Sequence, residues 1–120
     1  MTTWEERLGA LGATELGGGL VVHVARRAGE RRRGLARLDD MPRDHALHIL
    51  RCPAVHTFAM RFPLDLIWLD RQGRVVRIDR DVAPNRNRVC IRARSVVEAR
   101  GGCADDFIAA GIGDGYTRSR

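Results

Sequence analysis

The chain has 120 residues, 44% of them hydrophobic and 30% charged, with a formal net charge of +6. That length suits one domain and allows a core without disulfide staples, since a domain of this size buries roughly two-thirds of its unfolded surface. No apolar run approaches the ~18 residues of a membrane helix, and the start, Met1-Thr2-Thr3-Trp4-Glu5-Glu6-Arg7, lacks the basic-then-apolar pattern of a signal peptide, so a soluble cytoplasmic protein with no membrane partner is expected.

All 21 basic residues are Arg. Codon bias is the plain explanation; anion or nucleic-acid binding is the functional one, because Arg forks match phosphate. The densest run, Arg31-Arg32-Arg33 with Arg26, Arg27 and Arg37 nearby, carries no interleaved aromatic residue. That disfavours base stacking and leaves an Arg-driven nucleic-acid binder as a third reading. Cys52, Cys90 and Cys103 are odd in number and form no CxxC or CxxH pair, so they read as reduced thiols. Cys90 and Cys103 are expected to pack as small hydrophobes.

In chain order, residues 1–19 read as a peripheral N-terminal arm set off by Gly17-Gly18-Gly19, and residues 20–117 as one globular domain. Leu20 to Ala25 is a strand. Ala28 to Leu38 reads as a short helix anchored by Leu35 and Leu38, interrupted by Gly34 and ended before Pro42. Ala46 to Leu50 is a second strand, and Cys52 to Pro63 a loop. Leu64 to Leu69 is a near-continuous apolar run with one charge, Asp65, the pattern of a strand covered on both faces. Asp70-Arg71-Gln72-Gly73 is a hairpin turn returning as a strand over Arg74 to Val82. Val89-Cys90-Ile91 is a short edge strand and Ser95 to Ala99 another. A helix follows near Ala104 to Ala110, closed by Gly111, and Gly113-Asp114-Gly115 leads to a last strand or tail. This order predicts an α+β fold, a mostly antiparallel curled sheet or small barrel-like β core with two short helices.

The segment Cys52 to Asp70 concentrates the reactive groups. Asp65 opens a buried strand, where an unpaired charge costs several kcal/mol. It is expected to anchor the loop through backbone N–H groups, or through Arg37 or Arg61, with a general base or ligand-binding carboxylate as the alternative. Glu98, among Val96, Val97 and Ala99, carries the same choice; convergence with Asp65 would let the pair divide acid and base roles. His56 supplies an imidazole, the side chain type most used for acid–base work, beside the Thr57 hydroxyl. His56 with Asp65 or Glu98 is therefore the enzyme reading, of hydrolase type, although no Gly-x-Ser-x-Gly elbow accompanies it. Cys52, His56 and Met60 recur four residues apart and are ligands that suit copper. Pro53 and Pro63 oppose the helix that would align them, so no metal and no other cofactor is expected, and Met60 reads as a core plug. Gly102 and Asp114 read as turn residues. Asp105 and Asp106 occupy the positive end of the last helix, which argues against phosphate there.

Several of these residues also carry a resemblance. Arg33-Gly34-Leu35-Ala36-Arg37, Val55-His56-Thr57-Phe58-Ala59-Met60-Arg61-Phe62-Pro63-Leu64-Asp65, Leu69-Asp70, Gly73-Arg74-Val75-Val76, Val96-Val97-Glu98, Gly102 and Gly111-Ile112-Gly113-Asp114 stand in the order seen in the domain of unknown function 192 family, an uncharacterised ancient conserved region. The chain resembles that family over about residues 20–115, with Ala36 in place of the usual Met and Ala99 in place of the usual Leu. The resemblance implies a compact β-rich α+β fold and no particular activity. The leading functional expectation is a binding or accessory module for a small molecule, peptide or partner protein. Its surface would lie around the Val55–Asp65 loop, with Glu98 and the first helix. His56, Thr57, Arg61 and Arg37 are the contact candidates, and Asp65, Met60, Gly102 and Asp114 the structural anchors.

Overall fold

The computed structural model describes residues 2–114. Its first element is a helix, α1 (Trp4–Gly9), capped by Thr3, whose hydroxyl accepts from the Glu6 N–H at 3.2 Å. The next is a strand, β1 (Gly12–Glu15), antiparallel to β2 (Val21–Ala25) at the edge of the main sheet. The N-terminal segment expected to be a peripheral arm is thus built into the fold. Leu8 is fully buried, and the Arg7 guanidinium donates to the carbonyls of Gly34 and Ala36 at 3.0 and 3.1 Å. Trp4 packs 4.7 Å from the His45 ring, and His45 Nδ1 lies 2.8 Å from His23 Nε2. Gly18 and Gly19, at φ 73° and 78°, turn the chain between β1 and β2 rather than detaching the segment.

The second helix, α2 (Ala28–Arg33), is shorter than the expected Ala28–Leu38. Glu30 Oε1 accepts from the Arg26 and Arg27 N–H groups at 3.1 and 3.0 Å, which ties down its start and holds the Glu30 carboxyl below its usual range. Gly34 ends it with φ 48° and ψ −130°, a backbone closed to other residues. Leu35, Leu38 and Met41 still reach the core, fully buried, from an irregular segment rather than from a helix face.

The parallel strand β3 (His45–Leu50) follows and pairs with β2, α2 forming part of the crossover. A short strand, β4 (Ala54–His56), lies inside the stretch expected to be loop. β5 (Leu64–Leu69) and β6 (Val75–Val82) form the expected hairpin, with Gly73 at φ 79° in its turn. β7 (Asn87–Val89) lies two residues earlier than the expected edge strand and pairs with β4. β8 (Ser95–Arg100) completes a six-stranded sheet in the order β1-β2-β3-β8-β5-β6, antiparallel everywhere except β2–β3. The fold is α+β and strand-rich, but the sheet stays open at β1 and β6 instead of closing into a barrel, and among the described residues three short α-helices accompany it.

Two apolar layers cover the sheet. Leu47, Ile49, Leu66, Trp68 and Val96 pack on one side with Leu8, Leu35, Leu38, Met41, Met60 and Phe62. Ala46, Ile67, Leu69, Val97 and Ala99 pack on the other with Phe107 of the last helix, α3 (Ala104–Ala109). Double coverage explains why β5 reads as an apolar run instead of alternating. Cys90 and Cys103 are buried, and all three thiols are free. Gly113 and Asp114 bridge to Arg74; Gly115 and the end of the expected 20–117 domain lie outside the described residues. Among the described residues no helix is long and apolar enough to cross a membrane.

Candidate functional site

The register of β5 against β8 decides what the two buried carboxylates can do together. Leu66 pairs with Glu98 and Asp65 with Ala99. Side chains alternate between faces along a strand, so Asp65 and Glu98 point to opposite sides of the sheet. The convergence that would have given a shared acid–base pair does not occur.

Asp65 is fully buried and spends its oxygens on the backbone. Oδ1 accepts from the Asp81 N–H at 2.8 Å, and Oδ2 from the Gly102 and Ala104 N–H groups at 3.0 and 2.9 Å. One carboxylate therefore joins the β6 bend, where Asp81 has φ 49°, to the turn before α3. The Gly102 amide that Asp65 holds belongs to a residue at φ 88°, a conformation glycine adopts without strain. Neither Arg37 nor Arg61 is the partner of Asp65. Arg61 pairs with Asp39 at the surface, and the exposed Arg37, at φ 66°, donates its N–H to the Ala59 carbonyl at 2.7 Å.

Thr57, expected as a contact residue, has its hydroxyl committed to backbone groups. It is fully buried; its hydroxyl lies 2.8 Å from the Ala83 carbonyl and 3.1 Å from that of Arg86, and accepts from the Arg86 N–H at 2.8 Å. It clamps the loop after β4 to the loop before β7. His56 is exposed at the end of β4, opposite Asn87 in register, and its Nδ1 bonds the Asn87 carboxamide oxygen rather than a carboxylate. Phe58 stacks near it with ring centroids 6.2 Å apart. Met60 is buried in the core layer, and Asp114 is exposed.

Glu98 is placed differently from Asp65. It is 2% exposed, and its Oε1 has no hydrogen-bond partner among the described residues. It lies in the wall of a cavity of about 270 Å³ between α2 and β4, with Ile49, Val55 and Met60 as apolar neighbours. Burial pushes its carboxyl up to about 8, so the group is mostly a neutral acid at pH 7, able both to donate and to accept. Gly34 closes over it: a Cβ there would lie 3.9 Å from Oε1. The Arg31 Nε–H, also buried and unpartnered, belongs to the same cavity.

Cys52 and His56 line this cavity as well. The Cys52 thiol is raised by burial first and by Glu98 second, and donates to the Ala54 carbonyl at 3.0 Å. A protonated thiol is neither a good nucleophile nor a good metal ligand. Among the described residues no three His, Cys, Asp or Glu side chains close on one point. Arg37 and Arg61 border a neighbouring depression, not the Glu98 cavity.

A family described as uncharacterized ACR matches residues 13–115. No curated protein matches the chain. Two solved structures share its fold. One, from Sinorhizobium meliloti 1021 and described as a candidate transcription regulator, is 19% identical with a TM-score of 0.67, covering 84% of this chain and 86% of its own. The other, a protein of unknown function from Novosphingobium aromaticivorans DSM 12444, is 20% identical with a TM-score of 0.64, covering 81% of this chain and 86% of its own.

Proposed function

The chain belongs to the domain of unknown function 192 family, and within it we propose that this protein is a binding module that holds a small molecule in the cavity between α2 and β4. The observation that carries this reading is the unpartnered, buried Oε1 of Glu98 in the wall of that cavity. A carboxyl placed there costs folding free energy, and a leucine would be cheaper. A site that keeps such a group against stability is the kind that binding requires. The ligand it suits is compact, with an apolar body against Ile49, Val55 and Met60 and one polar head. The Arg31 Nε–H would donate to that head, and the neutral Glu98 would donate or accept.

Butyrate and butyramide serve as probes, added separately to the ¹⁵N-labelled protein while amide shifts are followed. Binding should move the amides of Gly34, Cys52, Val55 and Glu98, and Glu98→Leu should abolish the effect while leaving the protein folded and more stable. Absence of any cavity response to either probe at millimolar concentration, or an unchanged response in Glu98→Leu, would overturn the proposal. The hydrolase reading loses support on two counts: Asp65 faces away from the cavity with its oxygens committed, and His56 is oriented by an amide.

A further inference from the structure

Arg26, Arg51, Arg71 and Arg94 are far apart in sequence, yet the sheet brings these residues to one end. Arg26 follows β2, Arg51 follows β3, Arg71 lies in the β5–β6 turn, and Arg94 precedes β8. Because β2 and β3 run parallel and β8 runs antiparallel to both β3 and β5, these four positions converge. They line a cavity of about 480 Å³ together with Asp70 and Ser95. This cavity is separate from the Glu98 cavity, and Ser95 pairs with Leu50 and Leu69 in the register set that faces away from Glu98.

The charges of Arg51, Arg71 and Arg94 are not neutralised from within the described residues. Among the described residues Asp70 is the one acidic residue in the lining, and its Oδ1 already accepts from the Gln72 and Arg74 N–H groups at 2.8 and 2.9 Å. Arg51, Arg71 and Arg94 have no ion-pair partner among the described residues. Their backbones are nonetheless held. Arg94 N–H donates to the Leu69 carbonyl at 2.8 Å and the Arg94 carbonyl accepts from Cys52 at 3.0 Å. Arg51 sits at φ 50°, a left-handed conformation that a non-glycine residue holds only when its surroundings impose it. Ser95 is 7% exposed in the wall, its Oγ 2.8 Å from His48 Nε2. When His48 donates in that bond, the serine O–H is left to donate to a ligand.

We propose that this cavity binds a phosphoryl group carried by a small molecule. Several guanidinium forks around one concavity match the many oxygens and multiple charge of a phosphoryl group. A nucleic-acid track would instead call for a long basic groove with stacking aromatics, and among the described residues no Phe, Tyr or Trp lines this cavity.

Inorganic pyrophosphate is the probe, titrated calorimetrically into the full chain at low salt, with succinate as the non-phosphoryl dianion. One pyrophosphate should bind per chain, more tightly than succinate. Arg51→Gln and Arg94→Gln should each weaken it about tenfold, as expected for the loss of charge-assisted bonds. Arg86→Gln, which changes net charge equally but lines neither cavity, should leave it within about twofold, net charge being a long-range effect that salt screens. The inference is overturned if pyrophosphate does not bind at millimolar concentration, if succinate binds equally well, or if all three variants lose affinity alike. It is also overturned, in favour of nucleic acid, if a single-stranded oligonucleotide binds more tightly than pyrophosphate with a steep salt dependence.

Discussion

Replacing Asp65 with Ala removes the acceptor for three backbone N–H groups at once, those of Asp81, Gly102 and Ala104. A buried donor left without a partner costs roughly 1–3 kcal/mol. The Ala104 amide is enclosed, whereas Asp81 and Gly102 belong to exposed residues whose amides water can partly rescue. The sum is therefore about 3–6 kcal/mol, a large part of the roughly 5–15 kcal/mol that holds a domain together. With a urea m-value of about 2 kcal/mol per molar, the middle of the usual range, the unfolding midpoint should fall by about 1.5–3 M. Asp65→Asn keeps Oδ1 for Asp81 but presents an amide donor to two other donors, so it should fall between wild type and Asp65→Ala. Urea unfolding followed by circular dichroism measures all three. A midpoint for Asp65→Ala within about 0.3 M of wild type would refute the assignment of Asp65 as a three-point backbone acceptor.

Other expectations follow from the same physical terms. The Glu98 carboxyl is pushed up to about 8 from an ordinary 4.5, so the native state holds a proton that the unfolded chain releases; the cost of burying it is smallest below about 4.5 and stability is lost as pH rises to about 8. Glu98→Gln should flatten that decline, which reaches at most about 1.4 kcal/mol per pH unit, in denaturation curves taken across the window. His23 is shifted the opposite way, lowered by burial and then by His45, so its part of the stability is present above about 6.5 and is lost as pH falls below it. In a thermal melt series from neutral to mildly acidic pH, His23→Phe should remove that acid sensitivity, and a variant as acid-sensitive as wild type would contradict it. Gly34→Ala has room for its Cβ but must adopt φ 48° with ψ −130°, so it should cost about 1–3 kcal/mol in urea unfolding.

What could be read from the residues alone divides along a physical line. β5 announced itself because burial on both faces leaves an unbroken apolar run, and the hairpin after it because Gly73 supplies a positive φ. α2 was over-extended because Leu35 and Leu38 keep helical spacing, although Gly34 leaves the helix before either. α1 was missed because six residues with a single fully buried side chain, Leu8, carry little periodic signal. Asp65 and Glu98 both stood out as carboxylates among apolar neighbours. Their different surroundings depend on the pairing of strands more than thirty residues apart, where a shift of one residue exchanges the faces. The meeting of Arg51, Arg71 and Arg94 has the same origin, and no local pattern marks it.

The Glu98 carboxyl itself provides the most direct test. Its side-chain carboxyl carbon, followed by NMR through a pH titration of the folded protein, should change with a midpoint near 8. A midpoint at the ordinary 4.5 would place that carboxylate in contact with water or a charge partner, and the cavity reading would fall with it.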